Sequence, residues 1–314
     1  MIIGNERELT EAVLSELSHA PDARLREVMS AAVRHLHSFI RETRLTEVEF
    51  HQACAVIARL GQLTTESHNE VVLMAGSLGV SSLVCLLNNG GRETETTANL
   101  MGPFWRADAP PIENGGSIVR SPTPGTPVFV TALVHDRAGN AVAGARVDVW
   151  QSSGEGFYEN QDPQQADMNL RGKFTTDAEG RIAFRSVKPA GYPIPVSGPV
   201  GELLRAQGRH NMRPAHIHFM IHKPGFKTQF SQVYSSDDPY LETDVQFGVT
   251  RALVGRYVLH RGEAAPAADV TGDWYSLEQH FVLDAGEARL SKPPIRAKTS
   301  GARPELTVLP RRAR

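Results

Sequence analysis

The stretch of this 314-residue chain richest in potential chemistry is Arg213-Pro214-Ala215-His216-Ile217-His218-Phe219-Met220-Ile221-His222. Ile217, Phe219 and Ile221 alternate there with His216, His218, Met220 and His222. Side chains two apart share one face of a β-strand, so His216 and His218 project together, the spacing by which one strand offers two imidazoles to one metal. The same alternation also serves on strands whose histidines are half-exposed polar residues. His222 shares the face, but a strand rises ~3.3 Å per residue, which sets it about 13 Å along from His218, and no direct role is expected for it.

Two tyrosines stand in unusual contexts upstream. Tyr158 ends Gly154-Glu155-Gly156-Phe157-Tyr158, where glycines permit close backbone approach. Tyr192 lies in Gly191-Tyr192-Pro193-Ile194-Pro195, where prolines fix the backbone. A lone tyrosine in a loop commonly packs and makes one hydrogen bond. Two of them ahead of a His-x-His strand bring a metal site into view. No cysteine is near, and no Asp or Glu is spaced for a two-His-one-carboxylate centre. A phenol of ordinary pKa near ~10 ionises at neutral pH only beside a strongly Lewis-acidic ion. Two phenolates with two imidazoles suit ferric iron and disfavour its reduction. Such a centre binds a catecholate and makes the substrate itself reactive toward O2.

The elements that must position these residues change character along the chain. From Glu6 to about Asn89 apolar residues recur at helical spacing, most clearly over 22–43, with Pro21 just before. Capping boxes at Thr46/Glu49 and Ser67/Glu70 predict helices over 46–60 and 67–88, ended by Asn88-Asn89-Gly90-Gly91. Beyond Gly102, repeated prolines exclude long helices. Strands are predicted at 128–135, 145–151, 181–187, 215–222, 229–234, 255–261 and 274–283, with turns at 136–140 and 177–180. The fold class is mixed α and β, with an antiparallel β-sandwich following N-terminal helices. Residues 289–314 carry eight Lys or Arg against one acid and are expected to form a solvated, flexible tail.

Composition narrows the function. Thirty-three basic residues against 35 acidic ones give a net charge of −2, so no dedicated nucleic-acid binder is expected. No run approaches the ~20 apolar residues of a membrane span. The amino-terminal residues lack the pattern of a signal peptide, which predicts a cytoplasmic protein. Cys54 and Cys85 have no paired spacing and read as buried free thiols.

Taken together, these segments resemble the intradiol ring-cleavage dioxygenases, in the branch of catechol, chlorocatechol and hydroxyquinol 1,2-dioxygenases. The resemblance runs from about residue 63 to 283. It is carried by Leu78-Gly79-Val80-Ser81, Gly102-Pro103-Phe104, Val149-Trp150-Gln151, Gly156-Phe157-Tyr158, Tyr192-Pro193-Ile194-Pro195, Gly208-Arg209-His210 and the segment 213–218. It implies a helical linker and dimerisation domain over 1–100, a catalytic sandwich over 101–288, and a homodimer that holds a phospholipid between subunits. It further implies one non-haem Fe(III) per subunit, with Tyr158, Tyr192, His216 and His218 as ligands. Tyr192 matches the tyrosinate that leaves the metal and takes a substrate proton. Arg213 matches the arginine that stabilises carbanionic substrate, and Gln232 a glutamine near the iron. His210 is expected to steady a loop near Arg213.

The implied reaction is intradiol cleavage of an aromatic vicinal diol by O2. Hydroxyquinol, giving 3-hydroxy-cis,cis-muconate or maleylacetate, is preferred; catechol or a substituted catechol is the alternative. Pocket positions carried over are Leu73, Gly76, Leu100, Gly102, Pro103, Phe104, Ile194, Pro195, Arg213 and Gln246. Hydroxyquinol members tend to carry an acid where this chain has Gly76 and an apolar residue where it has Gln246. The runs 145–150 and 176–180 also resemble non-catalytic transthyretin-like modules, which would not supply two tyrosines and two histidines in this arrangement.

Overall fold

The computed structural model describes residues 2–65, 68–89, 96–295, 297–298 and 301–311. The chain divides into two compact units, Met1–Arg59 and Leu60–Arg314. In the first, α1 (Glu6–Leu17) is capped by Asn5, whose side-chain oxygen accepts from the amides of Arg7 and Glu8. Asp22 caps α2 (Ala23–Thr43) by accepting from Leu25 N at 2.9 Å. α3 (Glu47–Gln62) opens on the expected capping box: Thr46 N donates to Glu49 Oε2 at 2.9 Å, and Glu49 N donates to Thr46 Oγ1 at 3.3 Å. Neither α1 nor α2 has a buried residue, and Leu25, Val28, Met29, Leu36 and Phe39 are exposed. Cys54 is exposed and Cys85 half-buried, both free, so neither thiol is fully buried as expected.

In the second unit the single helix expected over 67–88 is two. α4 (Glu70–Ser77) and α5 (Val80–Asn89) meet at 76° across Leu78-Gly79, where Gly79 has φ +74°. The residue capping α4 is Asn69, which accepts from Val72 N at 2.9 Å. Ser67 and the Gly90-Gly91 terminator lie outside the described residues. Among the described residues no single helix is long and apolar enough to cross a membrane.

The strands are β1 (Pro127–Asp136), β2 (Arg146–Gln151), β3 (Arg171–Thr175), β4 (Arg181–Val187), β5 (Tyr192–Pro193), β6 (Met212–Arg213), β7 (His216–His222), β8 (Gln229–Ser235), β9 (Val254–Gly255), β10 (Val258–His260) and β11 (Trp274–Leu283). α6 (Pro199–Ala206) lies between β5 and β6. One sheet runs β10-β11-β1-β4, a second β3-β2-β7-β8-β9, and β5 pairs with β6. The sheets are mixed rather than wholly antiparallel, because β11 lies parallel to β1 and β9 parallel to β8. In both cases a long intervening connection lets the chain return in the same direction. β3 escaped the sequence reading because Arg171 and Lys173 break any apolar alternation. α6 starts on Pro199, whose missing N–H is harmless in a first turn.

Between the two main sheets pack Val128, Val130, Val147, Val149, Ile182, Phe184, Ile217, Phe219, Ile221, Leu277 and Phe281. β7 therefore gives its isoleucines and phenylalanine to the core. Its other face is buried too, because segments carrying Trp105, Tyr158 and Tyr192 lie over Met220 and the histidines. These coverings are tied down by a buried ionic knot. Glu159 Oε1 accepts from Arg171 Nε at 2.7 Å and from Arg106 at 3.0 Å, while Arg171 also donates to Phe104 O at 2.5 Å and to Asn160 Oδ1 at 3.1 Å.

Part of the expected solvated tail also packs. Leu309 is buried, and Arg303 is ion-paired to Glu155 and Asp162. Glu155 and the buried Asp162 neutralise a cation that composition alone assigned to solvent.

Removing one member of a buried ionic knot strands the others. Glu159→Ala is expected to destabilise the protein by about 3–5 kcal/mol. Glu27→Ala, in the exposed Arg24–Glu27 pair, should change stability by less than ~1 kcal/mol. Chemical denaturation of the two variants checks the contrast.

Candidate metal centre

Alternation along β7 turns His216 and His218 to one side, as the sequence predicts. The register sets Trp150 and Gln232 on either side of His218 and Tyr234 beside His216. Trp150 stacks on the His218 ring at 4.7 Å and 9°. His216 Nδ1 lies 2.7 Å from Pro214 O. That carbonyl can only accept, so Nδ1 carries the proton and Nε2 presents a lone pair. The two Nε2 atoms are 3.0 Å apart, and Tyr158 Oη lies 3.0 Å from His218 Nε2 and 3.4 Å from His216 Nε2. The Tyr192 ring stands 5.4 Å from that of Tyr158, nearly perpendicular at 87°, and 5.5 Å from His216.

This donor set fits a metal. Two ligands bonded at about 2.1 Å and at right angles lie about 3.0 Å apart, the separation of the two imidazole nitrogens. Among the described residues no group of three or more His, Cys, Asp or Glu side chains could hold a metal, so any such centre needs the phenols. Burial, reinforced by the Arg213 charge, lowers His216 to about 3, and burial with the neighbouring His216 takes His218 well below its ordinary value. Both imidazoles are thus neutral and free to ligate. Burial pushes Tyr158 well above the usual phenol range, with Tyr192 adding to the rise. Tyr192 is also raised by burial, against the opposing charge of Arg213. Ionising these phenols therefore calls for a strongly Lewis-acidic cation.

Arg213 lies on β6, paired in register with Tyr192 on β5. It is buried, donating to Asp244 at 3.1 and 3.0 Å and to Tyr234 Oη at 2.8 Å. Tyr234 donates to Gln232 Oε1 at 2.8 Å, and Gln232 Nε2 donates to Leu100 O at 2.6 Å. Gln232 thus stands beside His218 in register and also reaches the site through Tyr234 and Arg213. Sequence reasoning passed over Tyr234 and Asp244. Tyr234 was detectable as the residue two along from Gln232 on one strand face; Asp244 gave no local signal.

The pocket positions divide. Phe104 stacks on Tyr158 at 4.1 Å and stands edge-on to Tyr192 at 6.3 Å. Gly102, at φ +70°, passes so close that a Cβ would lie 3.0 Å from His218 Cε1. Leu73 packs with Ile194 and Val245. Gln246 is buried, donates to Ser77 Oγ at 2.9 Å, and fills the space beside Gly76: a Cβ there would lie 1.8 Å from Gln246 Oε1. Pro103 and Pro195 are exposed.

Neither tempting extra histidine joins the cluster. His222 Nδ1 meets Thr228 Oγ1 at 3.0 Å. His210 accepts from Met212 N at 3.0 Å and contacts Thr243 Oγ1 at 2.8 Å, steadying the loop before Arg213 as expected. It borders a cavity of about 880 Å³ lined also by Asp244, Phe247, Arg209 and Arg311.

Two family profiles match the chain, "Catechol dioxygenase N terminus" over residues 22–96 and "Dioxygenase" over 100–284. The hydroxyquinol 1,2-dioxygenase of Rhizobium sp. is 40% identical over 283 residues, covering 88% of this chain and 95% of its own. The catechol 1,2-dioxygenase of Candida albicans is 37% identical over 248 residues, covering 78% and 82%. The solved hydroxyquinol 1,2-dioxygenase of Pseudomonas putida superposes with a TM-score of 0.81 at 36% identity, covering 90% of this chain and 99% of its own. With both halves of the chain matched and the relatives covered nearly end to end, the chain belongs to the intradiol ring-cleavage dioxygenases.

Proposed function

We propose that Tyr158, Tyr192, His216 and His218 hold one non-haem Fe(III) per subunit and that the diol cleaved is hydroxyquinol, giving 3-hydroxy-cis,cis-muconate or its tautomer maleylacetate. The observation that carries the reading is the convergence of Tyr158 Oη and two imidazole nitrogens within 3.0–3.4 Å. Ferric iron held there would supply the Lewis acidity that binds a vicinal diol and makes its ring reactive toward O2.

The protein's own residues supply the rest. Tyr192 Oη, once ionised beside such a cation, would accept a diol proton and become a neutral phenol. Arg213, pinned by Asp244 and Tyr234, holds a fixed cation beside negative charge developing on the ring, where a preorganised charge lowers the barrier. Gln232 acts through Tyr234, keeping that guanidinium in place. Phe104, Leu73 and Ile194 wall the ring and exclude water, and Gly102 leaves space beside His218.

The relatives named hydroxyquinol 1,2-dioxygenases support the substrate, and Gln246 supports it physically. Its Nε2 is committed to Ser77, so Oε1, lying over Gly76, is the end able to accept a third ring hydroxyl. The second reading, catechol or a substituted catechol, is favoured by Gly76, which carries no side chain to recognise that hydroxyl. We also assign the exposed apolar face of α2 to a homodimer formed through the helical segment 1–100, with a phospholipid held between subunits.

His218→Ala should abolish iron retention and the red-brown tyrosinate-to-iron absorption. His222→Ala, in contact with Thr228, should keep both; equal iron loss, measured by metal analysis after dialysis, would overturn the ligand set. Arg213→Met paired with Asp244→Asn, so that no buried carboxylate is stranded, should retain iron and the anaerobic diol complex. Its O2-dependent turnover should fall about 10²–10³-fold; unchanged O2 uptake would leave Arg213 a structural ion pair. Gln246→Leu should lower kcat/KM for hydroxyquinol about five-fold more than for catechol, the worth of one neutral hydrogen bond. O2 uptake with both diols checks this, and equal losses would assign Gln246 to packing and favour the catechol reading.

A further inference from the structure

Residues 303–309 touch both loops that carry the candidate phenol ligands, by different means at each end. At the first end the Arg303 guanidinium lies 3.9 Å over the Phe157 ring, next in sequence to Tyr158. It is ion-paired to Glu155 Oε2 at 2.5 Å and to the buried Asp162 Oδ2 at 3.1 Å. Both acids belong to the turn that presents Tyr158. Leu306 comes next, close enough that a Cβ on Gly156 would lie 3.7 Å from its Cδ1 and 3.3 Å from Tyr192 Cβ.

At the other end Asn211 is fully buried and acts as a clasp. Its Nδ2 donates to Ile194 O at 2.7 Å and Thr307 O at 2.9 Å, while its Oδ1 accepts from Leu309 N at 2.8 Å. Ile194 N in turn donates to Asn211 O at 2.8 Å. The Leu309 side chain completes the apolar cluster of Ile194, Val196, Val200, Leu204 and Val245. Ile194 is two residues from Tyr192, and Met212-Arg213 follows Asn211 directly, so this end grips the Tyr192 segment and its partner strand together.

We infer that Arg303–Leu309 is a positioning strap that holds the two phenol-bearing loops at a fixed mutual distance, and that Arg303, Asn211 and Leu309 are positioning residues for the metal centre. The inference rests on Tyr158 and Tyr192 being ligands. β5 is only two residues long, so its own ladder contributes little to fixing Tyr192. A phenol that would hold a metal needs its backbone fixed, and the strap supplies that restraint.

The test uses the full chain loaded with ferric iron, as wild type, Arg303→Ala, Leu309→Ser and Arg289→Ala. Arg289 is exposed, pairs only locally with Glu287, and serves as the control within the same C-terminal region. Two quantities are read: the tyrosinate-to-iron absorption maximum, and the rate of iron loss to a competing chelator. Arg303→Ala should lose iron about ten-fold faster, as expected for one charge-assisted contact. Its absorption maximum should shift, Leu309→Ser should change in the same direction, and Arg289→Ala should match wild type. The Arg303 side chain is partly exposed, so its variant folds and decides the matter even where Leu309→Ser does not. An Arg303→Ala protein with wild-type absorption and iron loss within two-fold overturns the strap while leaving the ligands in place. Wild-type protein that binds ferric iron without that absorption overturns the ligand reading and the strap with it.

Discussion

Two imidazoles buried side by side, with no carboxylate hydrogen-bonded to either among the described residues, are the constraint on which the catalytic half of this protein depends. Protonating either would set a cation in a dry interior beside Arg213, so both stay neutral, His216 down to about 3. The Pro214 carbonyl takes the His216 Nδ1 proton and leaves Nε2 facing inward. With core on one side of β7 and aromatic segments on the other, neither ring can turn to water. What is left is a buried pair of imidazole nitrogens facing the Tyr158 phenol, the donor set proposed above for a metal.

The electrostatics around that patch have a consistent sign. Arg213 and Arg171 both bear on the histidines and tyrosines, and each is held by a buried acid, Asp244 or Glu159. Charges taken this far from water persist only when paired and fully hydrogen-bonded. The cost is offset where the substrate is itself an oxyanion, because a fixed cation then needs no rearrangement as negative charge moves through the ring.

Much of this was legible in the residues because it is local. Period-two alternation places His216 with His218, helical spacing marks α2, and Thr46 with Glu49 fixes the start of α3. What was hidden is made by tertiary contact. The break between α4 and α5 depends on the conformation of Gly79, inside a run whose apolar period does not falter. β3 is a strand by virtue of its neighbours rather than its composition, since Arg171 finds Glu159 only after folding. Asp244 and Tyr234 meet Arg213 from distant segments. Arg303 and Leu309, within a segment that is otherwise largely exposed, read as solvated because charge counts carry no information about which acids folding brings near.

The fit of Gln246 into the space above Gly76 has a consequence for how this pocket can diverge. The amide oxygen occupies the place a Cβ at position 76 would need, so any side chain added there collides while Gln246 keeps its bond to Ser77. The reverse step, shortening Gln246 while Gly76 stays, leaves a void, which carries its own cost. The two positions are therefore coupled: a side chain at 76, such as an acid on α4, requires Gln246 either to swing its amide away from Ser77 or to give way to a smaller residue.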